Sequence, residues 1–398
     1  MMVKGSTMVG RLLKVNCARV SLLLTMVGLS LCCLCLNLLL YTVLTSGEQK
    51  RRKPGSLTIR TAGGNRVVSV SDLGRRCSSE EIEFNAKGQP QYNSQCPRNS
   101  MYMTSLVAHN EQAETDVAER DRTPVIVRIG CNKGDDFILS MRQWSKNGTY
   151  SSRNLYNYQS QFNFTGPSGY VCDKLDENLS DSLQEDASFT SALQSMRFVR
   201  GFCIEPMSTT MGMLISTFKT LGYQPPDVTL IQAAVSNYPG TAYFPISDVG
   251  REDLGLQHAD TSTEKVQVQV ITLDSLVRES NIEKIDYLSI DTEGNDMQVI
   301  LGGIHIFAAH LIRYFEFEYH FTGRWQTSNL RDLIELLDLF GYDCYWALNS
   351  GNLTRITGCW HEDYNEKWWS NVACISRKEI YTNKLMESLT NFEPSNRY

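Results

Sequence analysis

The sequence predicts an α/β protein with a mostly parallel sheet, helices on both sheet faces, and one transmembrane helix ahead of it. Three observations predict this class. Short apolar runs alternate with helix-period stretches from Pro124 onward, a glycine turn follows the first run, and a long uncharged segment lies near the N-terminus.

The uncharged segment covers residues 20–44. Its 25 positions cross a hydrocarbon core as a helix, and it is too long for the apolar region of a cleaved signal peptide. It divides the chain into a cytoplasmic tail (1–19), a signal anchor (20–44), a lumenal stem (45–121), a catalytic body (122–380) and a C-terminal tail (381–398). Flanking charge does not orient the span, because Lys4, Arg11, Lys14 and Arg19 precede it while Lys50, Arg51, Arg52 and Lys53 follow. Four Asn-x-Ser/Thr sequons orient it instead, at Asn147, Asn163, Asn178 and Asn352, all after the span. Eight of the 12 cysteines follow it too, an even number that suits an oxidising compartment. The expectation is a single-pass type II membrane protein of the Golgi or endoplasmic reticulum. A net charge of −6 offers no basic field for nucleic acid.

The stem is rich in Arg, Gly, Ser, Asn and Gln, and a local Cys77–Cys96 staple is the expectation there. In the body, strands are expected at 125–129, 198–204, 228–235, 285–290, 311–317 and 371–375. Met211, Leu214, Ile215, Phe218 and Leu221 share one helical face, as do Leu330, Leu333, Ile334 and Leu337. Residues from about 147 to 195 fit neither period and read as a polar surface insertion. Trp360, Trp368 and Trp369, near Cys359 and Cys374, read equally as core or as a sugar-stacking platform.

The first strand runs into Gly130-Cys131-Asn132-Lys133-Gly134 and then a helix, a turn that lets the backbone approach a ligand. The second strand ends in Glu205, where Rossmann-like sites place an acid on ribose hydroxyls. Glu205 follows Gly134 by 71 positions rather than the usual 20 or so, and the polar insertion supplies the excess. A later strand ends in Asp291-Thr292-Glu293-Gly294, which points two carboxylates toward the same mouth. Asp296 reads as a first-turn helix charge and Asp274 as a helix cap.

Taken in order, Ile-Gly-Cys-Asn-Lys-Gly, Ile-Glu-Pro, Ala-Ala-Val-Ser-Asn-Tyr-Pro-Gly, Ile-Thr-Leu-Asp-Ser-Leu and Ile-Asp-Tyr-Leu-Ser-Ile-Asp-Thr-Glu-Gly resemble the FkbM methyltransferase family over about residues 123–377. The resemblance implies a Rossmann-like class I methyltransferase with a seven-stranded sheet, bound S-adenosyl-L-methionine, and O-methylation of hydroxyls on sugars or polyketides. It further implies that Gly130, Asn132 and Gly134 hold the methionine end, that Glu205 holds the ribose, and that Ala234 and Val235 border the adenine. One position departs from the family pattern. Arg128 stands where the family usually has an acid that helps hold the cofactor ammonium, and Asp135 or Asp136 is the available substitute.

Methyl transfer needs an acceptor oxygen aligned with the methyl group and a group to take its proton. His320, at the end of Phe315-Glu316-Phe317-Glu318-Tyr319-His320, is the first candidate base, and strand alternation puts Glu318 on its face. Asp291 and Glu293 are expected to orient the acceptor or the base, with no metal. The expected acceptor is a glycan or a small-molecule hydroxyl. Two other readings compete: a Golgi-type glycosyltransferase with a metal on Asp291-x-Glu293, and a non-catalytic relative to which Arg128 points.

Overall fold

The computed structural model describes residues 57–61, 64–68, 73–87, 122–162 (apart from 146 and 148), 198–348 (apart from 252 and 257–263), 352–379 (apart from 368), 386 and 390. The expected anchor, Cys96, Cys172, Asn163, Asn178 and Trp368 lie outside them. No helix among the described residues is long and apolar enough to cross a membrane.

The strands are β1 (Leu57–Thr61), β2 (Gly64–Val68), β3 (Val125–Ile129), β4 (Arg200–Ile204), β5 (Val228–Ile231), β6 (Ala234–Val235), β7 (Gly240–Pro245), β8 (Lys265–Ile271), β9 (Ile285–Ile290), β10 (Ile312–Tyr319), β11 (Tyr342–Ala347), β12 (Leu353–Arg355) and β13 (Ser370–Ser376). The helices are α1 (Ser79–Lys87), α2 (Asp135–Ser145), α3 (Ser152–Gln159), α4 (Ser208–Leu221), α5 (Leu273–Glu279), α6 (Asp296–Leu301), α7 (Ile304–Ala308) and α8 (Leu330–Leu339).

The main sheet has eight strands in the order β12-β11-β13-β10-β9-β3-β4-β5. Strands β5, β4, β3, β9 and β10 pair in parallel, and β13 runs antiparallel between β10 and β11. This is a methyltransferase-like α/β sheet, with the short edge strand β12 as an eighth member beyond the seven expected. Every residue of β9 is buried, as a central parallel strand covered on both faces requires. Ile126, Tyr287 and Tyr314 enter one core with Phe137 and Met141 of α2 and Leu214 of α4. Phe315, on the opposite face of β10, packs its ring edge-on to Phe307 of α7 at 4.9 Å. Helices therefore cover both faces.

Several expectations need correction. The run 228–235 divides, because β6 leaves the main sheet and joins a separate sheet in the order β6-β8-β7. The insertion contains α3, whose Leu155 and Gln159 are buried. Ile215 is 51% exposed, so the buried stripe of α4 runs instead through Thr210, Met211, Leu214, Thr217 and Phe218. Cys77 does not pair with Cys96. It forms a disulfide with Cys359, 282 residues away. Around it the Gly74 amide donates to Asp338 at 2.8 Å and Arg76 pairs with Asp338 at 2.9 Å. This part of the expected stem is fastened to the body. Asp274 caps a helix other than its own. Its carboxylate accepts from the His305 and Ile306 amides of α7, while Thr272 and Ser275 form the capping box of α5.

Candidate active site

Parallel strands bring the segments that follow β3, β4, β9 and β10 to one edge of the sheet, and the expected site residues gather there. The glycine turn follows β3. Gly130, Asn132 and Gly134 all have positive φ. A Cβ on Gly130 would lie 1.5 Å from the Asp291 carbonyl oxygen, so this glycine is required by the neighbouring chain itself. The Gly130 and Cys131 amides both donate to the Ile204 carbonyl at 3.0 Å, and a Cys131–Cys203 disulfide fastens the turn to β4.

Glu205 directly follows β4 and is 6% exposed. One carboxylate oxygen accepts from the Asn132 amide at 3.0 Å and the other from the Met207 amide at 2.9 Å. Burial pushes its pKa up to about 7, against the pull of those two amides. Asn132 Oδ1 is buried with no hydrogen-bond partner.

Arg128 projects from β3 and ends among acids. It bonds Ser289, and its Nη2 lies 2.8 Å from Asp291 and 3.1 Å from Asp136. Burial alone would pull the guanidinium pKa down, but Asp136 and Asp291 hold it above its usual value. Asp136, one of the two substitutes expected for the missing acid, is thus engaged with the arginine.

The turn after β9 is organised by Asp296, whose carboxylate accepts from the Thr292 amide at 3.3 Å and the Gly294 amide at 3.2 Å. Asp296 does sit in the first turn of α6, yet it is 0% exposed and burial raises its pKa to about 7. Glu293 and Gly294 adopt positive φ, and a Cβ on Gly294 would lie 2.5 Å from the Thr322 carbonyl oxygen. This close approach lays Glu293 beside the end of β10.

There Asp291, Glu293 and Glu318 each present a carboxylate oxygen within 4.8 Å of the others. His320 lies behind them with its side chain 0% exposed, its Nε2 3.7 Å from Glu318 and 4.0 Å from Glu293. Its Nδ1 faces the Thr322 hydroxyl at 2.6 Å, and its ring stacks on Trp369 at 4.8 Å. Burial lowers the His320 pKa to about 4. Burial first, and then repulsion from Asp291, holds Glu293 and Glu318 well above the carboxylate range.

The structure thus brings together Gly130, Asn132, Glu205, Asp291, Glu293 and His320. Gly134 belongs to the same turn but faces Leu214 and Phe218 of α4. Ala234 packs into a small core with Met207, Phe244 and Val270. Glu318 was readable only as a neighbour of His320 on an alternating strand, and that alternation was the signal for it. Trp369 joins the site, whereas Trp360 packs on Tyr364.

The fold and the site define a methyltransferase-like α/β protein. Residues 185–344 match the Methyltransferase FkbM domain, so the resemblance read from the motifs holds for this part of the chain. The match contains Glu205, Asp291, Glu293, Glu318 and His320 and leaves out the glycine turn. Among solved structures, methyltransferase FkbM from Methylobacillus flagellatus KT is 11% identical with a TM-score of 0.30, covering 70% of this chain and 59% of its own. The SAM-dependent methyltransferase from Agrobacterium tumefaciens is 6% identical with a TM-score of 0.30, covering 82% of this chain and 72% of its own. No curated protein matches this chain.

Proposed function

We propose that this chain is an S-adenosylmethionine-dependent O-methyltransferase that methylates a hydroxyl, of a glycan in the secretory pathway, from a type II membrane anchor. The observation that carries the reading is Glu205, a strand-end carboxylate bonded to the glycine turn across 73 residues. Its position suits the ribose, and each carboxylate oxygen keeps a second lone pair for a ribose hydroxyl. The orphaned Asn132 Oδ1 suits a ligand donor. Arg128 does not stand as a bare cation against the cofactor ammonium, because Asp136 and Asp291 neutralise it.

When bound, S-adenosylmethionine supplies an electrophilic sulfonium methyl, so little covalent chemistry falls to the protein. The chain's own work is to align the acceptor and receive its proton. Exposure decides which group receives it. The Asp291, Glu293 and Glu318 side chains are 29%, 12% and 18% exposed, while His320 is 0% exposed behind them. The acceptor proton therefore passes to this carboxylate cluster, and His320 is a positioning residue. Trp369 and the exposed ring of Phe321 flank the cluster and offer apolar faces for a sugar. Three disulfides among the described residues and the sequons support the lumenal assignment.

Incubating the full chain with labelled cofactor and a pool of glycans tests the reading. Label is expected on a glycan hydroxyl. Cofactor binding without transfer to any acceptor would favour the non-catalytic alternative, for which Arg128 is the specific observation.

A further inference from the structure

We propose that Arg251, in the connection between β7 and β8, binds the carboxylate of the cofactor's methionine end, and that Asp253 holds this guanidinium until the cofactor displaces it. The inference rests on the S-adenosylmethionine reading and adds a binding residue to it. That end of the cofactor carries an ammonium and a carboxylate on one carbon, so the groups that meet them must be neighbours in the fold.

The connection runs across the site. The Gly250 amide donates to the Thr210 hydroxyl of α4 at 3.2 Å, and the Arg251 carbonyl accepts from Asn132 Nδ2 at 3.4 Å. Leu254 is buried in the small core with Met207 and Ala234. A Cβ on Gly255 would lie 2.6 Å from the Glu293 carbonyl oxygen. One segment thus passes from the glycine turn to the turn after β9, and Arg251 is its point of contact with Asn132. The buried, unpartnered Asn132 Oδ1 suits the ammonium, and the cation beside it suits the carboxylate.

Arg128 is the poorer candidate. Its side chain is 13% exposed, and its donors are taken by Ser289, Asp136 and Asp291. The Arg251 side chain is 40% exposed, and its Nε and Nη2 meet the two oxygens of Asp253, the second at 2.9 Å. The guanidinium therefore already presents the paired edge that clamps a carboxylate. Asp253 is 50% exposed, and so solvated an ion pair is exchanged at little cost. The incoming carboxylate belongs to a molecule held at its ribose by Glu205, which favours it over the side chain.

Calorimetry on the full chain compares S-adenosylmethionine with its decarboxylated analogue, which lacks only the carboxylate. The parent should prefer S-adenosylmethionine about tenfold, as a charge-assisted pair implies. Arg251→Met should abolish that preference by costing affinity for S-adenosylmethionine alone. Asp253→Asn should widen it, because the competitor for the guanidinium is gone. Equal binding of the two ligands by the parent, or an undiminished preference in Arg251→Met, would overturn the proposal and leave the cofactor reading standing. Loss of the preference in Lys133→Met alone would also overturn it and give the role to that lysine. Binding of neither ligand by the parent would overturn the cofactor reading and the proposal together. The preference is a ratio taken on each variant, so a general loosening of the fold, which weakens both ligands alike, does not imitate the expected result. If Arg251→Met fails to fold, Asp253→Asn decides, and a narrower or unchanged preference there would overturn the proposal.

Discussion

The guanidinium of Arg128 lies 2.8 Å from the carboxylate of Asp291, and the two residues stand 163 positions apart, Arg128 on β3 and Asp291 directly after the adjacent parallel strand β9. The residue that departs from the family pattern is thereby tied to one of the residues that carries it.

Replacing Arg128 by Met should destabilise the fold, because Asp291 and Asp136 then lose this ion pair. Severing a fully buried pair costs about 3–5 kcal/mol. Asp136 is 63% exposed and Asp291 29% exposed, so water compensates in part and about 1–3 kcal/mol is expected. Urea unfolding measures it, and unchanged stability would mean that the pair contributes nothing.

Glu205 should make cofactor binding depend on pH. Its carboxyl is held to about 7 by burial, and ribose hydroxyls bond better to the charged form. Affinity should therefore rise with pH through about 7, and Glu205→Gln should flatten the profile. Stability runs the opposite way. A carboxyl with a raised folded pKa contributes stability below its unfolded value, and this is lost as pH rises through the folded pKa. Parallel pH profiles of affinity in the parent and in Glu205→Gln would exclude the ribose role.

The parallel strands were legible because they are continuous apolar runs, and 125–129 and 285–290 appear at their expected limits. Glu205, Asp291 and Glu293 were legible because strand ends in such sheets meet at one edge. The half-exposed strands β7 and β8 were not, since neither is a continuous apolar run; Lys265–Ile271 alternates instead, with Val266, Val268 and Val270 on the one face that meets a small core. The burial of His320 was equally hidden, because it depends on Trp369 and on a turn strained at Glu293, neither adjacent to it in sequence. The Cys77–Cys359 bridge could not be read from spacing either, because eight cysteines permit 105 pairings.

Removing the Cys131–Cys203 disulfide should loosen the glycine turn as well as the fold. The bridge spans 72 residues and lies one residue from both Asn132 and Ile204. A double change to Ser should cost about 2–4 kcal/mol in denaturant unfolding. It should also weaken S-adenosylmethionine binding, because the Asn132 amide that meets Glu205 is set by this staple. Undiminished affinity would show that the hydrogen bonds to Ile204 suffice.

The expressed full-length protein should carry N-glycans. Asn147 and Asn352 are both partly exposed, and the Asn147 side chain accepts from the Thr149 amide at 3.0 Å. Glycosidase treatment should raise gel mobility. Absence of a shift, with all four sequons unmodified by mass spectrometry, would reverse the proposed topology.

Calorimetry of the full chain with S-adenosylmethionine, set against nucleotide sugars, tests the central claim most directly. The account predicts one S-adenosylmethionine per chain, no nucleotide-sugar binding, and at least about tenfold weaker cofactor binding in Glu205→Ala, since charge-assisted hydrogen bonds are worth about 1.5–3 kcal/mol each. Binding of a nucleotide sugar with none of S-adenosylmethionine would contradict it.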